Sequence, residues 1–378
     1  MRRSSWFALS LSVWLLAPTV EPGAAQALPL FSRETSEPCA SCHVAAPRLT
    51  AYGMEFLRAG FQPRADSAAA LCPAHALPVS LGATLGYAYS GNGGSDAGGA
   101  RLEPGRFDVH VAGSPLHDLG VRYAGEYRAA SGTFETRSAW VEAGDEVNLR
   151  AGRFELEAPY LSESRRTTEQ PYLSPVTLVA QGLELNGERA SWTWAIDRVE
   201  SHRHEPADPQ DETAGQFVGR FEDLSFSIMR GTGADRISAR MLFDRQDSNL
   251  PQHAWLQHLQ AEGSALVTAG PLAIVPAYTF DRFDDRPAAG LHERHQYALL
   301  ELFYSLGPAR RWDLTARGEH EYVTANGLTR EQDRNLEVLS CGYSPSSRLR
   351  LAAEASHAGD NVGGPRLSRI GLNVSLRL

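Results

Sequence analysis

The sequence predicts a mainly β fold: a 16-stranded antiparallel transmembrane β-barrel with a small α-helical module at its N-terminus. Three observations carry that expectation. From Leu77 onward, apolar and polar residues alternate in segment after segment, and the polar phase is rich in charge. The connections between those segments alternate long and short, as the two ends of a membrane barrel do. Ahead of them lies a short helical pattern introduced by two closely spaced cysteines.

Composition narrows the function classes. The chain has 378 residues, a net charge of −9 and four cysteines, and all 36 basic residues are arginine. Lysine-based covalent chemistry is therefore excluded, and the acidic balance argues against nucleic acid as a partner. No glycine-rich phosphate loop follows a strand, and no nucleophile elbow is present. The sequence offers no catalytic residue of the hydrolase or transferase kind.

Residues 1–27 read as a signal peptide. Arg2 and Arg3 form the charged start, Trp6 to Ala17 the apolar centre, and Ala25-Gln26-Ala27 the small-residue cleavage site. Pro18, Glu21 and Pro22 cut the apolar run too short for a membrane helix. Export through an inner membrane is the expectation, with residence in the outer membrane of a Gram-negative-type bacterium.

Residues 28–76 form the helical module, built around Cys39-Ala40-Ser41-Cys42-His43. Two cysteines three apart, with histidine directly after, are the attachment pattern of a c-type haem. In a helical turn, Cys39, Cys42 and His43 share one face, so both thiols reach the haem vinyl groups and the imidazole lies beneath the iron. A zinc site is the competing reading, but zinc wants four soft or imidazole ligands and no second Cys-x-x-Cys exists. The expected cofactor is one covalent haem c, with His43 as the axial ligand to its iron.

After the motif, Leu49, Gly53, Phe56 and Gly60 recur at helical spacing, with Pro47 suited to the first turn and Gly60 to the end. At about fifty residues the module has a thin core of its own, so the porphyrin supplies much of its apolar interior. Met54 and His75 are the two candidates for the sixth ligand, and an open sixth position is a third. Thioether ligation by Met54 would raise the reduction potential. Met54 also shares a helical face with Leu57 and Phe61, a core role.

These residues carry a resemblance. Leu30-Phe31-Ser32-Arg33-Glu34-Thr35, the haem pattern, and Pro47-x-Leu49-x-x-Tyr52-Gly53-x-x-Phe56-x-x-x-Gly60-Phe61 resemble the leader of the outer-membrane fused monohaem cytochrome c–porins. The best-known members of that family are iron oxidases. The match covers about thirty residues on both sides of the haem site. It departs from the family pattern at Met54 and at Leu57-Arg58, where a basic residue and a lysine are common. The resemblance implies extracellular ferrous iron as electron donor and a soluble periplasmic carrier as acceptor.

Residues 77–378 form the porin-like barrel. The last segment shows the alternation plainly, with Ile370, Leu372, Val374, Leu376 and Leu378 in one phase and Arg369, Gly371, Asn373, Ser375 and Arg377 in the other. Arg122, Glu126 and Arg128 stand opposite Val121, Tyr123 and Tyr127, and Asp313, Arg317, Glu319 and Glu321 opposite Trp312 and Leu314. That is lipid outside and a polar lumen within. Asp108 and His110 fall in the lumen phase.

With a first strand over 77–90, the long connections are expected near 91–103, 157–175, 200–214, 246–252, 283–293, 324–333 and 358–366, with a modest one at 129–133. Short turns are expected near 114–118, 144–146, 187–189, 232–234, 268–270, 307–309 and 344–347. Keeping this order requires 215–231 to be one strand with a bulge near Glu222 and Asp223. Two loops are acidic, one with Glu157, Glu163 and Glu169, the other with Glu205, Asp208, Asp211, Glu212, His202 and His204; a dedicated metal site is not expected there. Cys72 and Cys341 are left over, and a disulfide between them is one option in an oxidising compartment.

Three functions follow as expectations: electron transfer across the outer membrane from ferrous iron to a periplasmic carrier; an electron conduit for another extracellular donor or acceptor; and a diffusion porin with an accessory haem module.

Overall fold

The computed structural model describes residues 42–45, 48–58, 79–92, 99–116, 119–129, 132–144, 147–156, 168, 173, 179–189, 191–201, 223–232, 235–246, 256–285, 292–306, 311–325, 332–346, 349–360 and 367–377. The signal peptide, Cys39, Cys72, His75 and the acidic tracts of both long loops lie outside them.

Two short strands, β1 (His43–Ala45) and β2 (Arg48–Leu49), pair antiparallel and lead into helix α1 (Ala51–Arg58). Sixteen strands follow. They are β3 (Val79–Asn92), β4 (Gly99–Leu116), β5 (Leu119–Arg128), β6 (Thr133–Gly144), β7 (Val147–Glu155), β8 (Val179–Arg189), β9 (Trp192–Ser201) and β10 (Asp223–Thr232). The second half comprises β11 (Asp235–Gln246), β12 (Leu256–Ala269), β13 (Leu272–Asp285), β14 (His292–Leu306), β15 (Trp312–Ala325), β16 (Gln332–Tyr343), β17 (Leu349–Asp360) and β18 (Leu367–Arg377). Each pairs antiparallel with its sequence neighbours, and β18 closes onto β3. Closure removes every sheet edge, which a lipid environment demands of a β structure.

The side-chain period of two decides the two faces. Leu85, Leu149, Phe226, Leu300, Leu339 and Ile370 are exposed on the outside, part of an apolar belt that runs round the barrel. An exposed apolar surface of that extent is stable in lipid and not in water. Inside, Glu142, Arg150, Glu184, Arg240, Glu262, Arg317 and Glu319 are buried. Both expected faces are found, and Asp108 and His110 share the inward phase of Arg106 and Ala112 on β4.

Short connections at 117–118, 145–146, 190–191, 233–234, 270–271, 307–311 and 344–348 alternate with those at 93–98, 129–132, 156–178, 202–222, 247–255, 286–291, 326–331 and 361–366. The expected order holds throughout. By that order the long loops are extracellular and the chain ends on the periplasmic side. The eighth barrel strand, β10, starts at Asp223, so the expected bulge near Glu222 and the segment 215–222 fall outside the described residues. Register shifts do occur at Thr84–Gly86 and at Ala124–Gly125.

One expectation for the module is corrected. The helix was expected to hold Pro47 in its first turn, and α1 (Ala51–Arg58) begins at Ala51; the expected end near Gly60 lies outside the described residues. Thr50 caps it, its Oγ1 accepting the Gly53 N–H at 3.1 Å, while Arg48 and Leu49 are drawn into pairing with β1. Of the haem motif, Cys42 has helical backbone and His43 opens β1 opposite Leu49, while Cys39 to Ser41 lie outside the described residues.

Candidate functional site: the barrel lumen and its helical insert

The lumen is the site, and α1 is inside it. Its Leu57 packs against a buried cluster of Trp140 on β6, Phe154 on β7, Leu156 just beyond β7, Val199 on β9 and Leu242 on β11. Phe154 stands one residue from the long-loop end of β7 and Val199 two from that of β9, so the helix seats against the extracellular half of the wall. These apolar residues share the inward phase of Glu142, Arg150, Asp197 and Arg240. That phase violation was legible in the sequence: an aromatic among the charged residues of a lumen row marks something other than water in front of it.

A second inward apolar group, comprising Met229, Leu266, Val275, Leu299 and Phe303, lies on β10, β12, β13 and β14. Val275 and Phe303 have no exposed surface. A wide, water-filled lumen would leave such side chains open, so this wall is covered.

The charged rows follow from register. Glu142, Arg150, Glu184 and Asp197 are successive direct partners across β6, β7, β8 and β9. Arg150 Nε lies 2.6 Å from Glu142 Oε2, and its Nη1 2.9 Å from Glu184 Oε1. The same guanidinium lies over the Trp140 ring at 4.6 Å. It thereby links the polar row to the apolar seat of α1, a cation–π contact strengthened by desolvation. Arg240 and Glu262 are 3.1 Å apart, and Arg317 and Glu319 3.0 Å, both pairs buried. Such pairs roughly break even against desolvation and contribute position more than stability.

Thr168 and Leu173, in the long β7–β8 connection, also meet the lumen wall. Arg317 Nη1 on β15 donates to Thr168 Oγ1 at 2.9 Å, and the Leu173 N–H donates to Glu319 Oε2 at 2.7 Å. Both contacts span nearly 150 positions, at |i−j| of 149 and 146. This crossing was not legible in the sequence, where the loop reads only as long and acidic.

The residues present fit a covalent haem by their chemistry and by one close approach. The Thr50 N–H donates to the Cys42 carbonyl at 2.8 Å, and Gly53 lies so near that a Cβ there would stand 2.1 Å from that oxygen. The absent side chain thus lets α1 lie directly on the backbone of a half-buried Cys42, and Phe56, one turn further along α1, is buried. Of the sequence-named site residues, Cys42, His43 and Met54 fall among the described residues, Met54 within α1. Cys341 faces outward in phase with Leu339, opposite Leu314 and Ala353, and Cys72, the other half of the expected option of a disulfide, lies outside the described residues.

No family model matches the chain, and no curated protein matches it. Among solved structures it is similar to the trimer form of OmpT, an outer-membrane protein of Vibrio cholerae, at 14% identity and a TM-score of 0.56 over 80% of this chain and 100% of that one. It is also similar to an anion-selective porin from Comamonas acidovorans, at 10% identity and a TM-score of 0.61 over 80% and 100%. A third is the outer-membrane channel DcaP of Acinetobacter baumannii, at 12% identity and 0.58 over 79% and 97%. At these identities the likeness is one of fold. The fold is that of an outer-membrane β-barrel porin, and the apolar belt places the chain in an outer membrane of the Gram-negative type.

Proposed function

We propose that this chain carries single electrons across the outer membrane through a covalent c-type haem held inside the barrel by the N-terminal module. The observation that carries the reading is the packing of Leu57 on the Trp140–Phe154–Leu242 cluster within the lumen. A module tethered there shortens both halves of a path that a bare bilayer would interrupt.

Cys39 and Cys42 would hold the porphyrin and His43 its iron, with Met54 or His75 as the sixth ligand. When bound, such a group accepts one electron and gives one up. The chain's own part is to hold it, to keep water from it with Phe56 and the inward apolar clusters, and to leave a polar approach from outside. By the sequence resemblance, the donor is extracellular ferrous iron, which leaves as ferric iron after losing one electron. The acceptor is a soluble periplasmic carrier.

A second reading, a passive solute channel with an accessory module, draws on the porin fold and on the partly exposed inward residues Thr84, Asp108, His110, Arg122 and Arg369. One pair of experiments separates them. Ferrous iron should reduce the haem of detergent-solubilised protein, and liposomes carrying the full chain should conduct poorly. Large conductance with the module in place, or protein that boils in detergent without retaining a haem stain, would favour the channel.

A further inference from the structure

At the extracellular end of the lumen wall, four inward side chains form a ribbon across β12, β13, β14 and β15. His258 Nε2 lies 3.2 Å from Asp281 Oδ1, and His295 Nδ1 lies 3.2 Å from Glu321 Oε1. Asp281 and His295 are direct register partners, which joins the two pairs side by side. Directly opposed side chains on one face of a sheet stand about 5 Å apart at Cβ, within bridging distance of a single ion.

Asp281 is the carboxylate of this wall that has an imidazole on either side, His258 in contact and His295 as register partner. The residue has no exposed surface, and its Oδ2 is buried with no hydrogen-bond partner. Of the neighbouring charges, Arg240 lies 3.1 Å from Glu262 and Arg334 3.5 Å from Glu321. A buried carboxylate with one orphaned oxygen calls for a cation. Two imidazoles beside carboxylate oxygen are the donor set of borderline divalent ions, ferrous iron among them.

We propose that His258, Asp281 and His295, with Glu321 as a fourth ligand, form a binding site for a divalent transition-metal ion at the outer mouth of the lumen. Among the described residues no three donors already converge on one point. Binding therefore turns the two imidazoles from the carboxylates onto the ion. The rim position, with His295 partly exposed and Arg334 open to solvent, gives the ion access from outside. The role of this site in delivering a donor rests on the electron-transfer reading, whereas binding itself does not.

Equilibrium dialysis of the full-length protein in detergent against cobalt(II) tests it, with metal counted by atomic emission. One cobalt per chain is expected, and D281N and H295Q should each weaken it by at least about tenfold. H320Q should leave it unchanged, because His320 faces outward beside Asp333. A heat-shifted gel band reports that each variant barrel is folded, and H295Q serves if D281N does not assemble. With ferrous iron as donor, H295Q should raise KM and leave kcat near the parent value. Failure to retain cobalt, or retention by D281N equal to the parent, would overturn the site and make Asp281–His258 an ion pair only. Cobalt binding in protein that carries no haem would support the site and remove the electron route; haem without cobalt binding would do the reverse.

Discussion

Arg317 on β15 donates to Thr168 Oγ1 at 2.9 Å, tying the long β7–β8 connection across the lumen to a distant strand. The guanidinium is fixed for that task by Glu319, 3.0 Å away and equally buried. Thr168 and α1 together occupy space that the strand count alone would leave open.

Thr168→Val removes the acceptor and keeps the loop's bulk. It should cost about 1–3 kcal/mol by leaving a buried guanidinium donor unmet. Single-channel conductance should rise and become noisier, because the segment around Thr168 loses its hydrogen bond to Arg317. Planar-bilayer recording checks it; unchanged current noise would count against a pinned loop.

Leu57→Asp places a carboxylate against Trp140, Phe154 and Leu242. Helix α1 should leave its seat, while the closed barrel, held by its own strand pairing, keeps its heat-shifted mobility. Conductance should increase and the module should become sensitive to protease added from the periplasmic side.

Gly53→Ala would set a methyl group 2.1 Å from the Cys42 carbonyl oxygen, a backbone atom with little room to yield. The helix must move off the cysteine turn. Haem retention on denaturing gels should fall sharply, with urea unfolding of the barrel unaltered. Thr50→Ala offers a graded comparison, since loss of an N-cap costs only about 1 kcal/mol.

Gly152 and Gly263 test the wall itself. Gly152 has φ +131°, and a Cβ there would meet the Ala139 carbonyl at 2.2 Å, whereas Gly263 faces open space. Gly152→Ala should destabilise the folded barrel by about 1–3 kcal/mol from conformation alone. Gly263→Ala should be neutral or mildly stabilising in the same lipid-based urea titration.

Leu339→Arg puts a charge in the middle of the outward belt, where the parent side chain is 63% exposed. A cost of about 2–4 kcal/mol is expected in lipid, falling toward the interfaces. A barrel that faced water at this position would tolerate the change.

Much of the fold was written locally. Alternation along Ile370 to Leu376 sets which side chains meet lipid, and loop lengths set strand order and sidedness, because both depend only on neighbours in the chain. The cysteine and histidine pattern is likewise local, and it remains the sequence's own evidence for haem. Helix α1 was legible as to kind and not as to its start: Pro47 was expected in the first turn, but Arg48 and Leu49 pair with β1 and Thr50 caps a helix that begins at Ala51.

What the tertiary structure alone decided is who meets whom across the lumen. Trp140, Phe154 and Leu242 could be seen to break the polar phase, but only strand register and closure bring β6, β7 and β11 together beneath Leu57. Asp281 and His295, or Arg317 and Thr168, are ordinary residues in their own segments. Asp281 meets His295 through the register of the β13–β14 pair, and Thr168 meets Arg317 because closure sets the end of β7 and strand β15 around one lumen.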